Sequence, residues 1–199
     1  MAKQIDYYVF LASPWAYLGS QRFAEIAKRH GAAIRIIPMA AAEVFPVSGG
    51  LPLAKRAPQR QAYRIVELKR WREYLGMPLN LQPSFFPIDE ALAARLVIAA
   101  RESGADAVAL AHAVMRAVWA EDRNISDPDV LEEIVTECGL DPTRLFAAAE
   151  EEVVKAEYGR GTRQAIDANV FGAPSYVVDG EIFWGQDRLD FVDRRLARG

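Results

Sequence analysis

Strand signals in this chain are confined to its two ends. Residues 5–11 are rich in β-branched and aromatic side chains and stop at the turn-forming pair Ser13-Pro14, a pattern that predicts a buried strand. Pro14 suits the first turn of a helix, and Leu18, Phe23, Ile26 and Ala27 then recur at helical spacing until Gly31. Residues 33–39, around Ile36-Ile37, read as a second strand. A crossover of this length makes the two strands parallel and the connection right-handed. At the other end, 175–178 and 181–184 flank Asp179-Gly180, a strong hairpin signal. Leu189, Val192 and Leu196 then form the inner face of a last helix, for which Asp187 offers a cap or first-turn acid.

From about residue 40 to 158 the apolar pattern is helical throughout. Helices are expected at 58–75, 89–103, 106–120, 127–138 and 143–157, with Gly76, Gly104 and Gly139 as stops. After a turn at Gly159-Arg160-Gly161, flanked further on by Arg163, a short helix should run to about residue 168. Two prolines keep Pro83-Ser84-Phe85-Phe86-Pro87 out of any helix and place two aromatics in a loop. The plan is an α/β domain of residues 1–39 and 159–199 carrying an inserted all-helical domain at 40–158.

With 199 residues, 51% of them hydrophobic, the chain can bury a substantial core. Its 24 Lys and Arg against 27 Asp and Glu leave a net charge of −3, without the basic stripe that binding to nucleic acid or an anionic membrane uses. A small-molecule partner is the expectation instead. Apolar runs such as 96–100 are far shorter than the roughly 20 residues of a membrane span. The single cysteine, Cys138, allows neither an internal disulfide nor a thiolate metal cage, and its helical, apolar setting predicts a buried, inert thiol. His30 and His112 stand alone, so no metal site is expected. The opening Met1-Ala2-Lys3-Gln4 lacks the apolar segment of a leader peptide, which points to a cytoplasmic protein.

The β-α-β and β-β-α order is that of a thioredoxin-like core, whose redox members carry Cys-x-x-Cys at the start of the first helix. Here that slot reads Ser13-Pro14-Trp15-Ala16. Thiol exchange needs an attacking thiolate, and both sulfurs are gone, so redox chemistry at this position is excluded. The geometry survives: a helix N-terminus with free N–H groups and a positive dipole end, beside a hydroxyl at Ser13, can hold an anion or a bound thiolate. The alternative is that Ser13 only caps the helix.

Two segments carry a more specific resemblance. Ser13-Pro14-Trp15-Ala16-Tyr17-Leu18-Gly19 and the stretch from Phe171-Gly172-Ala173-Pro174 through Trp184-Gly185-Gln186-Asp187-Arg188-Leu189 resemble the signatures of the 2-hydroxychromene-2-carboxylate isomerase family. That family is related to the kappa-class glutathione transferases and, more distantly, to DsbA-like proteins. The resemblance spans the whole chain and implies glutathione as cofactor, with Ser13 as the catalytic residue that hydrogen-bonds its sulfur. It further implies that Ala173-Pro174 is a cis-proline turn pairing with the cysteinyl backbone of glutathione, and that Gln186 and Asp187 meet its γ-glutamyl end. The implied reaction is a cis/trans isomerisation of an aromatic substrate through a reversible thiol adduct. A kappa-type transferase and a non-catalytic thioredoxin-fold binding protein are the rival readings, and a homodimer is an open possibility.

The middle of the chain departs from that family. Ser48-Gly49-Gly50-Leu51-Pro52-Leu53-Ala54-Lys55-Arg56 lacks the asparagine many relatives carry there, leaving Lys55, Arg56 or Arg60 as alternatives for the cation that meets the glycyl carboxylate. Trp15, beside Ser13, is the best candidate for the wall of an aromatic substrate site, with Phe85 and Phe86 behind it.

Overall fold

The computed structural model describes residues 3–198; Met1 and Ala2, on which part of the leader reading falls, lie outside the described residues. β1 (Gln4–Val9), α1 (Pro14–Arg29) and β2 (Ala33–Pro38) form the opening unit, and β3 (Ser175–Val178) with β4 (Glu181–Trp184) forms the closing hairpin. The strand order is β2-β1-β3-β4. β1 pairs parallel with β2, Gln4 opposite Ala33, and antiparallel with β3, Tyr7 opposite Tyr176. Asp179 and Gly180 both adopt positive φ, the backbone that a two-residue hairpin with native twist requires.

The period of two along β1 sorts its side chains into two cores. Ile5, Tyr7, Val9 and the following Leu11 join the large cluster shared with α1 and the helical block, while Tyr8 and Phe10 join a smaller cluster with Ile37, Met39, Val44 and Val170. Asp6 is only half-buried and grips Arg35 of β2 through two hydrogen bonds, of 2.8 and 2.6 Å.

The helical block contains α2 (Ala41–Ser48), α3 (Pro58–Leu75), α4 (Ala91–Glu102), α5 (Ala107–Trp119), α6 (Pro128–Glu137), α7 (Pro142–Ala149) and α8 (Glu152–Asp167). Asp106, Asp127 and Asp141 each cap a helix through the side chain, accepting the backbone N–H of Ala109, Asp129 and Arg144. α2 has no side-chain cap and holds Pro46 inside it, which is why its sequence gives little helical signal.

One expected boundary moves. In place of a helix at 143–157 and another after Gly159, α7 stops at Ala149 and α8 runs unbroken through Gly159 and Gly161. Arg95 donates to the Ala149 carbonyl (3.0 Å) and to Glu150 (2.6 Å), satisfying the end of α7. Gly161 marks a close approach and not a turn: a Cβ there would lie 2.8 Å from Ile37 Cγ2 and 3.3 Å from the Pro38 carbonyl oxygen. Arg160 therefore sits on a helix and pairs with Glu157 one turn earlier. At the C-terminus, Gln186–Arg188 form a 3₁₀ turn before α9 (Leu189–Ala197), and neither start is capped by a side chain. Of the two roles expected for Asp187, cap or first-turn acid, it takes the second, in the 3₁₀ turn that leads into α9.

A second glycine holds the 186–188 turn in place. A Cβ on Gly19 of α1 would lie 2.7 Å from Gln186 Cβ and 3.0 Å from the Tyr176 hydroxyl. Gly19→Ala should therefore destabilise the fold by about 1–3 kcal/mol through overpacking, against the gain of about 1 kcal/mol that alanine brings to an unobstructed helix. Urea denaturation decides: a midpoint equal to or above that of the parent protein would contradict the close packing.

Candidate active site at the carboxyl end of β1

β1 ends beside the start of β3 and the end of β4, because both pairings along this path are antiparallel. The segments flanking these ends, 10–15, 171–174 and 184–188, are therefore gathered at one edge of the sheet. Ser13 is the N-cap of α1, with φ −87° and ψ 119°, and its hydroxyl accepts the Ala16 N–H at 3.3 Å. Capping is real, and it leaves the hydroxyl hydrogen without an acceptor among the described residues. Ser13 is 8% exposed and Ala16 fully buried, so the group at the helix end is enclosed on one side and open on the other.

The Ala173-Pro174 peptide is cis. The Pro174 carbonyl accepts the Gly185 N–H at 2.9 Å, tying this turn to the 186–188 turn, while the N–H and C=O of Ala173 make no hydrogen bond among the described residues. Gly172 lies under Trp184: a Cβ there would meet the indole Nε1 at 2.6 Å. Phe171 and Trp184 stack edge-on at 4.9 Å, both partly exposed.

Gln186 and Asp187 differ in what they present. Gln186 is buried, and both its main-chain and side-chain oxygens take the Arg22 guanidinium, which itself lies over the Trp71 ring. Asp187 is exposed, and its carboxylate lies 3.6 Å from the Arg188 guanidinium. Of the pair, Asp187 offers a carboxylate to solvent and Gln186 fixes its position.

Behind the Ser13 turn sits a residue the sequence reading missed. The Glu90 carboxylate accepts the backbone N–H of Ala12, and burial pushes its pKa up to about 7 against the opposing pull of the Ala12 and Leu11 amides. In sequence, Asp89-Glu90 looks like any acidic helix start; nothing local marks Glu90 as the partner of the Ala12 amide.

The aromatic candidates divide. Trp15 is half-buried and packs on the main core beside Ser13. Phe85 is exposed, whereas Phe86 is half-buried against Trp119, ring centroids 5.1 Å apart. Among the basic candidates, Lys55 and Arg60 are exposed. Arg56 is half-buried and donates to the Leu51 carbonyl at 2.8 Å. The sequence reading also passed over Arg64, half-buried one turn further along α3, where it covers Phe86.

Cys138 is half-buried at the end of α6 and not fully enclosed as expected. Burial, with help from Glu137 and Asp106, raises its thiol pKa, which keeps it protonated and unreactive. His30 bonds Asp193 at 2.6 Å, and His112 bonds Ser20 at 2.7 Å.

This sheet, with a helix capped at its carboxyl edge and a cis-proline turn at the same edge, defines a class. The sequence matches the DsbA-like thioredoxin domain over residues 4–197, and the chain belongs to that family. Within it, the chain is 31% identical to the 2-hydroxychromene-2-carboxylate isomerase of Sphingobium xenophagum, over 98% of this chain and 99% of that protein. The isomerase of the same name from Pseudomonas putida is 30% identical over 98% and 94% of the two chains. A solved 2-hydroxychromene-2-carboxylate isomerase structure superimposes with a TM-score of 0.79 at 26% identity, covering 98% of this chain and 95% of that one.

Proposed function

We propose that the protein is a glutathione-dependent isomerase acting on 2-hydroxychromene-2-carboxylate or a close aromatic analogue. The observation that carries this reading is the enclosed Ser13 hydroxyl at the start of α1, paired with Ala16 where a resolving thiol would stand. Glutathione, when bound, supplies the thiolate whose reversible addition lets a carbon–carbon double bond change geometry without net consumption.

The residues present fit a small peptide thiol. Ser13 can donate its free hydroxyl hydrogen to the sulfur, and the positive end of α1 favours the anion. The unpaired N–H and C=O of Ala173 offer a strand-like pairing to a peptide backbone. Asp187 can take an ammonium group. With no histidine among these groups, the chain contributes orientation and anion stabilisation in place of proton shuttling. Among the described residues no helix is long and apolar enough to cross a membrane, and a cytoplasmic setting, where thiols are held reduced, suits this use.

An ultraviolet time course with parallel thiol counting tests the reading. 2-Hydroxychromene-2-carboxylate should equilibrate with its open-chain benzylidenepyruvate while free glutathione stays constant. Stoichiometric loss of thiol would make the protein a transferase, and no spectral change at saturating glutathione would make it a binding protein.

A further inference from the structure

Most partly buried arginines of this protein are matched to acids. Arg95 bonds Glu150, Arg101 bonds Glu102 and Glu157, and Arg123 bonds Glu133 and Glu137. Arg64 is different. It makes no ion pair or hydrogen bond among the described residues, and Glu67, the acid nearest to it in sequence on α3, is taken by Arg70 at 2.6 Å. Burial and the neighbouring Arg56 act together against its charge, lowering its pKa to about 10, so it remains a cation near neutral pH while lacking a counter-ion.

Its surroundings are aromatic. The guanidinium carbon lies 5.5 Å from the Phe86 ring centre and 5.6 Å from that of Trp119, within cation–π range of both. Trp119 is fully buried. A half-buried cation without a matching acid thus lies against one pair of rings. It carries a desolvation cost that an anionic partner would relieve.

The cluster is tied to the Ser13 turn through one short segment. Asn80 donates to the Trp119 carbonyl at 2.6 Å, and Glu90 at the other end of the segment holds Ala12. Phe86 stands four residues from Glu90, within about 14 Å of extended chain. That places Phe86 no further from Glu90 than the scale of an aromatic acid.

We propose that Arg64 is the receptor for the carboxylate of an aromatic substrate whose ring packs on Phe86. The proposal deepens the isomerase reading and rests on it for the identity of the substrate. It assigns the carboxylate to the substrate and not to the glycyl end of glutathione, because the cation is framed by two aromatic faces. Arg56 and the exposed Arg60 stay outside this frame.

Binding of cinnamate, an unreactive aromatic carboxylate, tests it without any turnover. By calorimetry the parent protein should bind cinnamate and bind cinnamamide more weakly. Arg64→Gln should lose about tenfold or more in cinnamate affinity, and Arg64→Lys should recover part of it, while glutathione affinity stays unchanged in both. Equal cinnamate affinity for the parent and Arg64→Gln would overturn the proposal. So would a loss confined to glutathione, which would hand Arg64 to the peptide carboxylate. Should the parent bind cinnamate through Arg64 yet fail to isomerise the chromene, the isomerase reading falls and this site stands.

Discussion

Ser13→Ala is expected to raise the pKa of the bound glutathione thiol by about one to two units and to lower turnover near neutral pH by about 10- to 100-fold. A hydrogen bond to a charged partner contributes about 1.5 to 3 kcal/mol, and about 1.4 kcal/mol corresponds to one pKa unit. Because only the thiolate adds to the substrate, the variant should recover rate as pH rises toward its new, higher pKa. Thiolate absorbance of the complex across pH provides the direct reading. The Ser13 oxygen also accepts the Ala16 N–H, so the variant should lose about 1 kcal/mol of stability as a lost cap. Thiolate curves that coincide for variant and parent would leave Ser13 as a cap alone.

Glu90→Gln should change how stability depends on pH. Glu90 is half-buried, and its folded pKa, about 7, lies above the ordinary carboxylate value of 4.5. Between those values the folded state holds a proton that the unfolded state releases, so rising pH favours unfolding. The penalty is absent below pH 4.5, grows through the interval and is complete above about pH 7, reaching at most about 3 kcal/mol. Glutamine remains neutral and keeps an oxygen for the Ala12 N–H. The variant should therefore gain stability relative to the parent on going from pH 5 to pH 8 in urea denaturation. Parallel profiles for the two proteins would show that Glu90 ionises freely in the fold. Because the carboxyl holds the amide next to Ser13, the same variant also reports whether a charge beneath the turn disfavours the bound thiolate.

Local pattern made the ends of the chain legible. The hairpin strands at 175–178 and 181–184 are where the Asp179-Gly180 signal puts them, and α3 runs from Pro58 to Leu75 between a proline start and a glycine in the left-handed region. These features depend on backbone chemistry within a few residues, which a sequence displays directly. Glycine misled where its reason was distant. Gly159 and Gly161 read as a break, but Gly161 is small so that α8 can lie against Ile37 and Pro38 of β2.

The candidate site divides along the same line. The amino-acid sequence by itself determined the α/β order, the loss of both redox sulfurs at positions 13 and 16 and the helix start at Ser13, because each is a matter of residue type at a fixed offset, whereas the cis turn at Pro174 came only from the family resemblance. Only the tertiary structure decided that Gln186 is held by Arg22 while Asp187 faces outward, that Glu90 lies beneath Ala12, and that Arg64 is left over aromatic rings without an acid. Burial and charge pairing depend on which distant elements meet, and a carboxylate or guanidinium acquires its chemical character only when neighbours from elsewhere in the chain remove its water.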